Sequence, residues 1–146
     1  MCLGIDVAET KKFRNKKVPF RAYKVVIDSG ENRKKGRYRG VFSGKPYEDG
    51  LNVAKPARLR KKLLKQAENL NKHEHEDELD RITSGAIHLH KSLIRARDFI
   101  GPDDEFIMMV MVDPKHVVGV DRDSIAVSEV VLNFEDKKLR RGRYRN

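Results

Sequence analysis

The sequence has one cysteine, no long apolar run and none of the short motifs that mark common catalytic sites. With Cys2 alone, the chain can form neither an internal disulfide nor a zinc site of four cysteines. No segment approaches the ~20 apolar residues of a membrane helix, and the N-terminus lacks the charged-then-apolar order of a secretory signal. A Gly-Lys-Ser/Thr phosphate loop, a Gly-x-Ser-x-Gly elbow and a Cys-x-x-Cys pair are also absent. We therefore expect a cytoplasmic protein that has no membrane contact, needs no cofactor and folds by packing alone.

What the chain does have is positive charge, distributed unevenly. Residues 1–66 carry 19 Lys/Arg against 6 Asp/Glu, and residues 137–146 carry 6 Lys/Arg without an acid. Between them, residues 67–80 have 1 basic against 6 acidic side chains, and residues 81–136 have 6 against 10. Electrostatic binding needs a patch of one sign more than a net sum. Two basic segments around an acidic centre therefore predict contact with a polyanion.

The strands are predicted from β-branched and aromatic runs that end at turn residues. Residues 19–28 form the clearest of these runs, and residues 37–43 alternate large apolar with polar side chains, as a second strand that pairs back would. Further strands are expected at residues 85–90, 106–112, 116–120 and 124–134, of which the last three are the most apolar and predict the centre of the sheet.

Two helices are predicted from periodicity and capping. Leu59, Leu63, Ala67 and Leu70 recur at steps of three and four, which predicts a basic amphipathic helix over residues 56–71. Ser92 can cap a shorter helix over residues 93–100, which Gly101 and Pro102 would end.

The expected fold class is therefore α+β, with a single mixed, mostly antiparallel sheet, one longer basic helix and one short helix. Residues 1–136 should form one domain, and residues 137–146 a flexible basic tail.

The sequence Gly-Arg-Tyr-Arg occurs twice, at residues 36–39 and 142–145. Arginine can neutralise phosphate, and tyrosine offers a stacking face worth about 1–3 kcal/mol per base. The alternative is a solvated turn and a frayed tail. With the basic face of the predicted helix, these segments supply our candidate nucleic-acid contacts: Lys34, Lys35, Arg37, Tyr38, Arg39, Arg58, Lys61, Lys62, Lys65, Arg140, Arg141, Arg143, Tyr144 and Arg145.

The histidines form two pairs, His73 with His75 and His88 with His90, the second on one face of a strand. Spacing fixes no third ligand, so we predict no metal site. A small enzyme or ligand-binding domain that uses His88, His90 and His116 is the weakest of the functional interpretations.

The order of several short motifs resembles a family of small uncharacterised bacterial and bacteriophage proteins. Those proteins begin Met-Cys-Leu, as residues 1–3 do here, and carry a Tyr-Lys-Val strand, matched from Tyr23 to Val25. A Gly-Ile-His or Gly-Phe-His strand then leads into a helix with alanine, matched by His88 and Ala96, although Ala86 is inserted here. The resemblance implies a compact α+β fold and a bacterial or phage setting, hence host cytoplasm if a phage encodes the protein, and it implies no activity.

The leading interpretation is a small, basic, non-enzymatic nucleic-acid-binding protein. RNA or single strands are favoured over duplex DNA because tyrosines interleave with arginines and no helix-turn-helix is evident. The alternative is an interaction or inhibitor module that binds an acidic host protein, and the oligomeric state stays open.

Overall fold

A computed structural model describes residues 6–28, 38–40, 46–54, 61, 62, 64, 65, 86–98, 100 and 105–134. Within these residues the elements are, in chain order, α1 (Val7–Arg14), β1 (Phe20–Asp28), β2 (Tyr38–Gly40), β3 (Pro46–Tyr47), β4 (Gly50–Val53), β5 (Ile87–His90), α2 (Leu93–Arg97), β6 (Glu105–Val112), β7 (Val117–Val120), β8 (Ser124–Val127) and β9 (Glu129–Leu132). The α+β class is confirmed. No helix in these ranges is long and apolar enough to cross a membrane.

Strand β1 organises the main sheet, whose order is β3-β2-β1-β5-β8-β7 with β6 also paired to β1. One edge of β1 pairs with β6 from Phe20 to Ile27, and the other edge pairs first with β5 and then with β2. Every one of these pairs is antiparallel. The predicted strand at residues 19–28 is thus confirmed, as is the return of a second strand onto it.

The two faces of the main sheet bury different clusters. On one face, α2 packs Ala96 against Val25 and Ile107, and all three are almost fully buried. On the other face lies the larger cluster, to which β1, β5, β6, β7 and β8 contribute and which the β4–β9 ribbon covers. The predicted cap is also confirmed, since the Ser92 side chain accepts a hydrogen bond from the Arg95 N–H at 3.2 Å, although α2 ends at Arg97.

The prediction of one strand over residues 124–134 is wrong. The segment divides at Ser128: β8 stays in the main sheet between β5 and β7, while β9 leaves it to pair with β4. At the break, the Ser128 N–H donates to the His116 carbonyl at 2.9 Å, and the Ser128 carbonyl accepts from the Ala54 N–H at 2.9 Å. Because both backbone groups are satisfied by different neighbours, the chain can change sheets there without leaving a buried polar group unpaired.

Helix α1, which the sequence analysis did not predict, covers the open edge of β7. The Val120 N–H donates to Thr10 Oγ1 at 2.9 Å, and the Val120 carbonyl accepts from the Asp6 N–H at 2.7 Å. Further along, Arg14 Nη1 donates to the Val117 carbonyl at 2.6 Å. An edge strand with unpaired backbone groups invites pairing with other chains, and a covering helix removes that hazard.

The longer predicted helix falls almost wholly outside the described residues. Lys61, Lys62, Leu64 and Lys65 have helical backbone, as expected. The extent of that helix stays a prediction.

Replacing Thr10 with Ala should lower the free energy of unfolding by about 1–3 kcal/mol, because the buried Val120 N–H loses its acceptor. Thr10→Ser keeps the hydroxyl, which also donates to the Asp6 carbonyl at 2.7 Å, and should cost less than about 1 kcal/mol for the lost methyl. Chemical denaturation of the three proteins measures the difference. Equal losses in both variants would show that the hydroxyl does not hold the edge.

Candidate polyanion-binding surface

Of the predicted contact residues, Tyr38 is the one whose ring packing the structure describes. Its ring stacks on that of Phe134, with centroids 3.8 Å apart and an angle of 7° between the planes. It also meets the Phe106 ring edge-on, at 5.9 Å. Tyr38 thus takes part in the packing of the larger core cluster, and its position lends no support to the prediction that it stacks on a base.

The other predicted contacts divide into three groups. The side chains of Lys61, Lys62 and Lys65 are exposed on a helical segment, as a contact surface requires. Arg39 pairs through its backbone with Ile27 and Pro46. The remainder lie outside the part of the chain that the structure describes: Lys34, Lys35, Arg37, Arg58, Arg140, Arg141, Arg143, Tyr144 and Arg145.

A basic surface that the sequence analysis did not single out lies at the end of α1. Residues 10–27 contain seven Lys/Arg and no Asp or Glu. Four of these cations are exposed, Lys12 in the last turn of α1, Lys16 and Lys17 in the following loop, and Arg21 near the start of β1. We call these four residues the α1 basic surface.

Two aromatic rings lie beneath Lys16, one of these four cations. Phe13 and Phe20 meet edge to face with centroids 5.1 Å apart, and both pack against the larger core cluster. The Lys16 ammonium lies 5.0 Å from the centre of the Phe13 ring and 5.8 Å from that of Phe20. Lys91 from the β5–α2 turn adds a second ammonium, 5.3 Å from Phe13. Such contacts are worth about 0.5–1 kcal/mol each at exposed sites, so those of Lys16 favour a position of its ammonium over the two rings.

The acidic side chains of the neighbouring segments already have partners. Asp6 Oδ1 accepts the Glu9 N–H at 3.0 Å as the N-cap of α1, and Glu9 pairs with Lys91 at 3.7 Å. Asp113 pairs with Lys115 at 3.6 Å.

Three of the four surface cations, in contrast, have no partner in the part of the chain that the structure describes. Among the described residues, no hydrogen bond or ion pair engages the side chains of Lys12, Lys17 and Arg21. These three charges stay available to an external anion.

The histidine pair on β5 forms a different, buried environment. His88 and His90 lie two residues apart in β5 and therefore on the same face of the strand, as expected. His90 pairs with Tyr23 on β1 and with Ser124 on β8. Burial, followed by the positive charge of Lys24, lowers the pKa of His90 to about 4, although Asp121 and Asp123 act in the opposite direction. His90 is therefore a neutral core side chain at physiological pH.

Lys24 itself is buried. Its ammonium donates to the His88 carbonyl at 2.9 Å and lies 5.0 Å from the centre of the Tyr47 ring. Burial in turn raises the pKa of Tyr47 to about 12. His116 is separate from this group, since its Nε2 lies 3.5 Å from Glu129 Oε1. In the described ranges, no three His, Cys, Asp or Glu side chains meet in a way that could hold a metal ion.

The lowered pKa of His90 predicts a loss of stability in acid. Between pH 6.5 and about 4, His90 is protonated in the unfolded state but neutral in the folded state. The contribution of His90 to the free energy of unfolding is therefore complete above pH 6.5 and is lost as the pH falls toward 4. The slope from this residue should reach about 1.4 kcal/mol per pH unit. His90→Asn should flatten the dependence of unfolding free energy on pH in this window.

Leu89→Ala is the matched control, because it weakens the same strand and leaves the histidine in place. Its curve of unfolding free energy against pH should run parallel to that of the wild type. If His90→Asn and the wild type lost stability equally between pH 6.5 and 4, the assignment to His90 would be wrong.

No protein-family model, curated protein or solved structure matches this chain. The resemblance to proteins that begin Met-Cys-Leu therefore stays a prediction.

A local signal for the α1 basic surface was present in the sequence. Residues 10–27 form the acid-free stretch of the first half that carries the most Lys and Arg residues. Asp6 and Glu9, three residues apart, also match the capping pattern of a helix start. The exposure of each cation could not be predicted from the sequence, because it depends on how α1 packs on the edge of β7.

Proposed function

We propose that this protein binds the phosphate backbone of a nucleic acid through the α1 basic surface. The observation that supports the proposal is the acid-free stretch of seven cations, three of which are exposed and without a partner in the described chain. Cations held close together repel one another, and a polyanion that displaces their counterions relieves this repulsion.

The helix dipole offers a simpler account of some of these charges. Lys11, Lys12 and Arg14 lie in the last turn of α1, where positive charge stabilises the helix by about 0.3–1 kcal/mol each. That effect falls off within one turn, so it does not explain Lys17 and Arg21, which follow the helix. The cations beyond α1 therefore favour binding over helix stabilisation.

The attachment of α1 to the sheet also favours binding by this surface. Hydrogen bonds of Asp6, Thr10 and Arg14 to β7 fix α1 to the sheet, and β1 continues directly into the centre of the sheet. A rigid arrangement of cations loses less entropy on binding than a mobile one. In this proposal, the exposed Lys61, Lys62 and Lys65 and the basic tail extend the contact.

Replacing Lys12, Lys17 and Arg21 together with Gln should weaken nucleic-acid binding and reduce its salt dependence. Each phosphate contact that is lost should lower the slope of log affinity against log salt by about 0.7 for a single strand or 0.9 for duplex DNA. Fluorescence anisotropy with labelled oligonucleotides at several salt concentrations measures both quantities. The single variants Lys17→Gln and Arg122→Gln form a matched pair, because each removes one exposed charge.

Arg122 lies in the β7–β8 turn next to Val120, which contacts the start of α1, whereas the α1 basic surface lies at its other end. Arg122→Gln should therefore leave the salt slope nearly unchanged. Polyglutamate as a second probe tests the alternative of an acidic protein partner. Equal affinity for polyglutamate and oligonucleotide, or equal slopes for Lys17→Gln and Arg122→Gln, would contradict the proposed function.

A further inference from the structure

Two large apolar side chains stand exposed beside the partnerless cations. Val18 is 68% exposed in the loop after α1, and Met111 is 50% exposed on β6. Met111 is the direct cross-strand partner of Arg21, so the two side chains lie on the same face of the sheet. Val18 precedes Arg21 by three residues, which limits the distance between their Cα atoms to about 11 Å. Arg21 and Met111 thus place a cationic and an apolar side chain together on one face of β1 and β6, and Val18 lies close to them along the chain.

Single exposed apolar residues are common on proteins and need no explanation. Here, however, the whole loop from Asn15 to Pro19 is exposed, and Val18 follows two lysines in it. A ligand that meets these lysines also meets the methyl groups of Val18. A ligand that has apolar as well as anionic groups would gain contact with Val18 in addition to these lysines.

A single-stranded nucleic acid exposes apolar and anionic groups together more fully than a duplex does. In a duplex, the bases are stacked inside, and the outer surface that meets a protruding loop is phosphate and sugar. In a single strand, the bases can turn outward and pack against protein side chains while the phosphates meet cations.

We propose that Val18 and Met111 pack against unstacked bases while Lys12, Lys17 and Arg21 contact phosphates, so that the α1 basic surface binds single-stranded nucleic acid. This inference rests on the proposed function and adds the class of target to it. Base contacts by apolar side chains depend little on salt, whereas the phosphate contacts depend on it strongly. The two kinds of contact can therefore be separated experimentally.

The test compares two double variants that lose the same kind of apolar surface. Val18→Thr with Met111→Gln alters the α1 basic surface, and Leu51→Gln with Val131→Thr alters a cross-strand pair on the β4–β9 ribbon. The matched side chains are similarly exposed, since Leu51 is 58% and Val131 is 59% exposed. All four positions are at the surface, so both variants should fold, which thermal unfolding checks.

The probes are labelled oligothymidylate and the duplex that it forms with oligoadenylate. The Val18/Met111 variant should bind the single strand about fivefold more weakly, with an unchanged salt slope, and should bind the duplex as the wild type does. The Leu51/Val131 variant should bind both probes like the wild type.

Two results would overturn the inference. If the Val18/Met111 variant bound oligothymidylate with wild-type affinity, or lost affinity for both probes equally, the apolar side chains would not contact bases. The proposed function would survive either result as long as the Lys12/Lys17/Arg21 variant still showed the smaller salt slope. If that variant also behaved like the wild type, the proposed function itself would fail.

Discussion

The open edge of β7 is the constraint on which much of this structure depends. A sheet that ends in an unpaired strand exposes backbone donors and acceptors, and here α1 satisfies those of Val120 through Thr10 and Asp6. Because the Thr10 hydroxyl is fully buried and bonded on both sides, the position of α1 is set by the sheet and not by helix propensity. The same bonds place the basic end of the helix beside the start of β1.

The strands were largely predictable because their signals are local. Runs of β-branched and aromatic residues identified β1, β6 and β7, and Ser92 identified the start of α2. The division at Ser128 was missed because both halves are apolar. A finer signal existed, since the core-facing residues change from odd positions, Ile125 and Val127, to even ones, Val130 and Leu132. Such a change of phase in a strand indicates a break.

The site was less predictable because exposure is a tertiary property. In the sequence, Tyr38 and Phe13 have the same local pattern, because each is an aromatic residue next to arginine or lysine. In the fold, Tyr38 stacks against Phe134, a residue 96 positions later, while Phe13 lies beneath the exposed Lys16 after the end of α1. Contacts between residues so far apart cannot be inferred from composition or spacing in one chain. Packing decided that the Phe13 ring lies beneath an exposed ammonium and that the Tyr38 ring lies among other aromatic side chains.

The cations of the first half, equal in a count of charge, have different roles in the fold. Arg14 stabilises the β7 edge through the Val117 carbonyl, and Lys24 donates to the His88 carbonyl inside the sheet. Lys17 and Arg21 make no such bond in the described chain and face solvent. A charge that completes a buried hydrogen bond is unavailable to a ligand, since removing it would leave a carbonyl unsatisfied. Net charge therefore overstates the proposed binding surface, and the cations that have no partner in the described chain define that surface better.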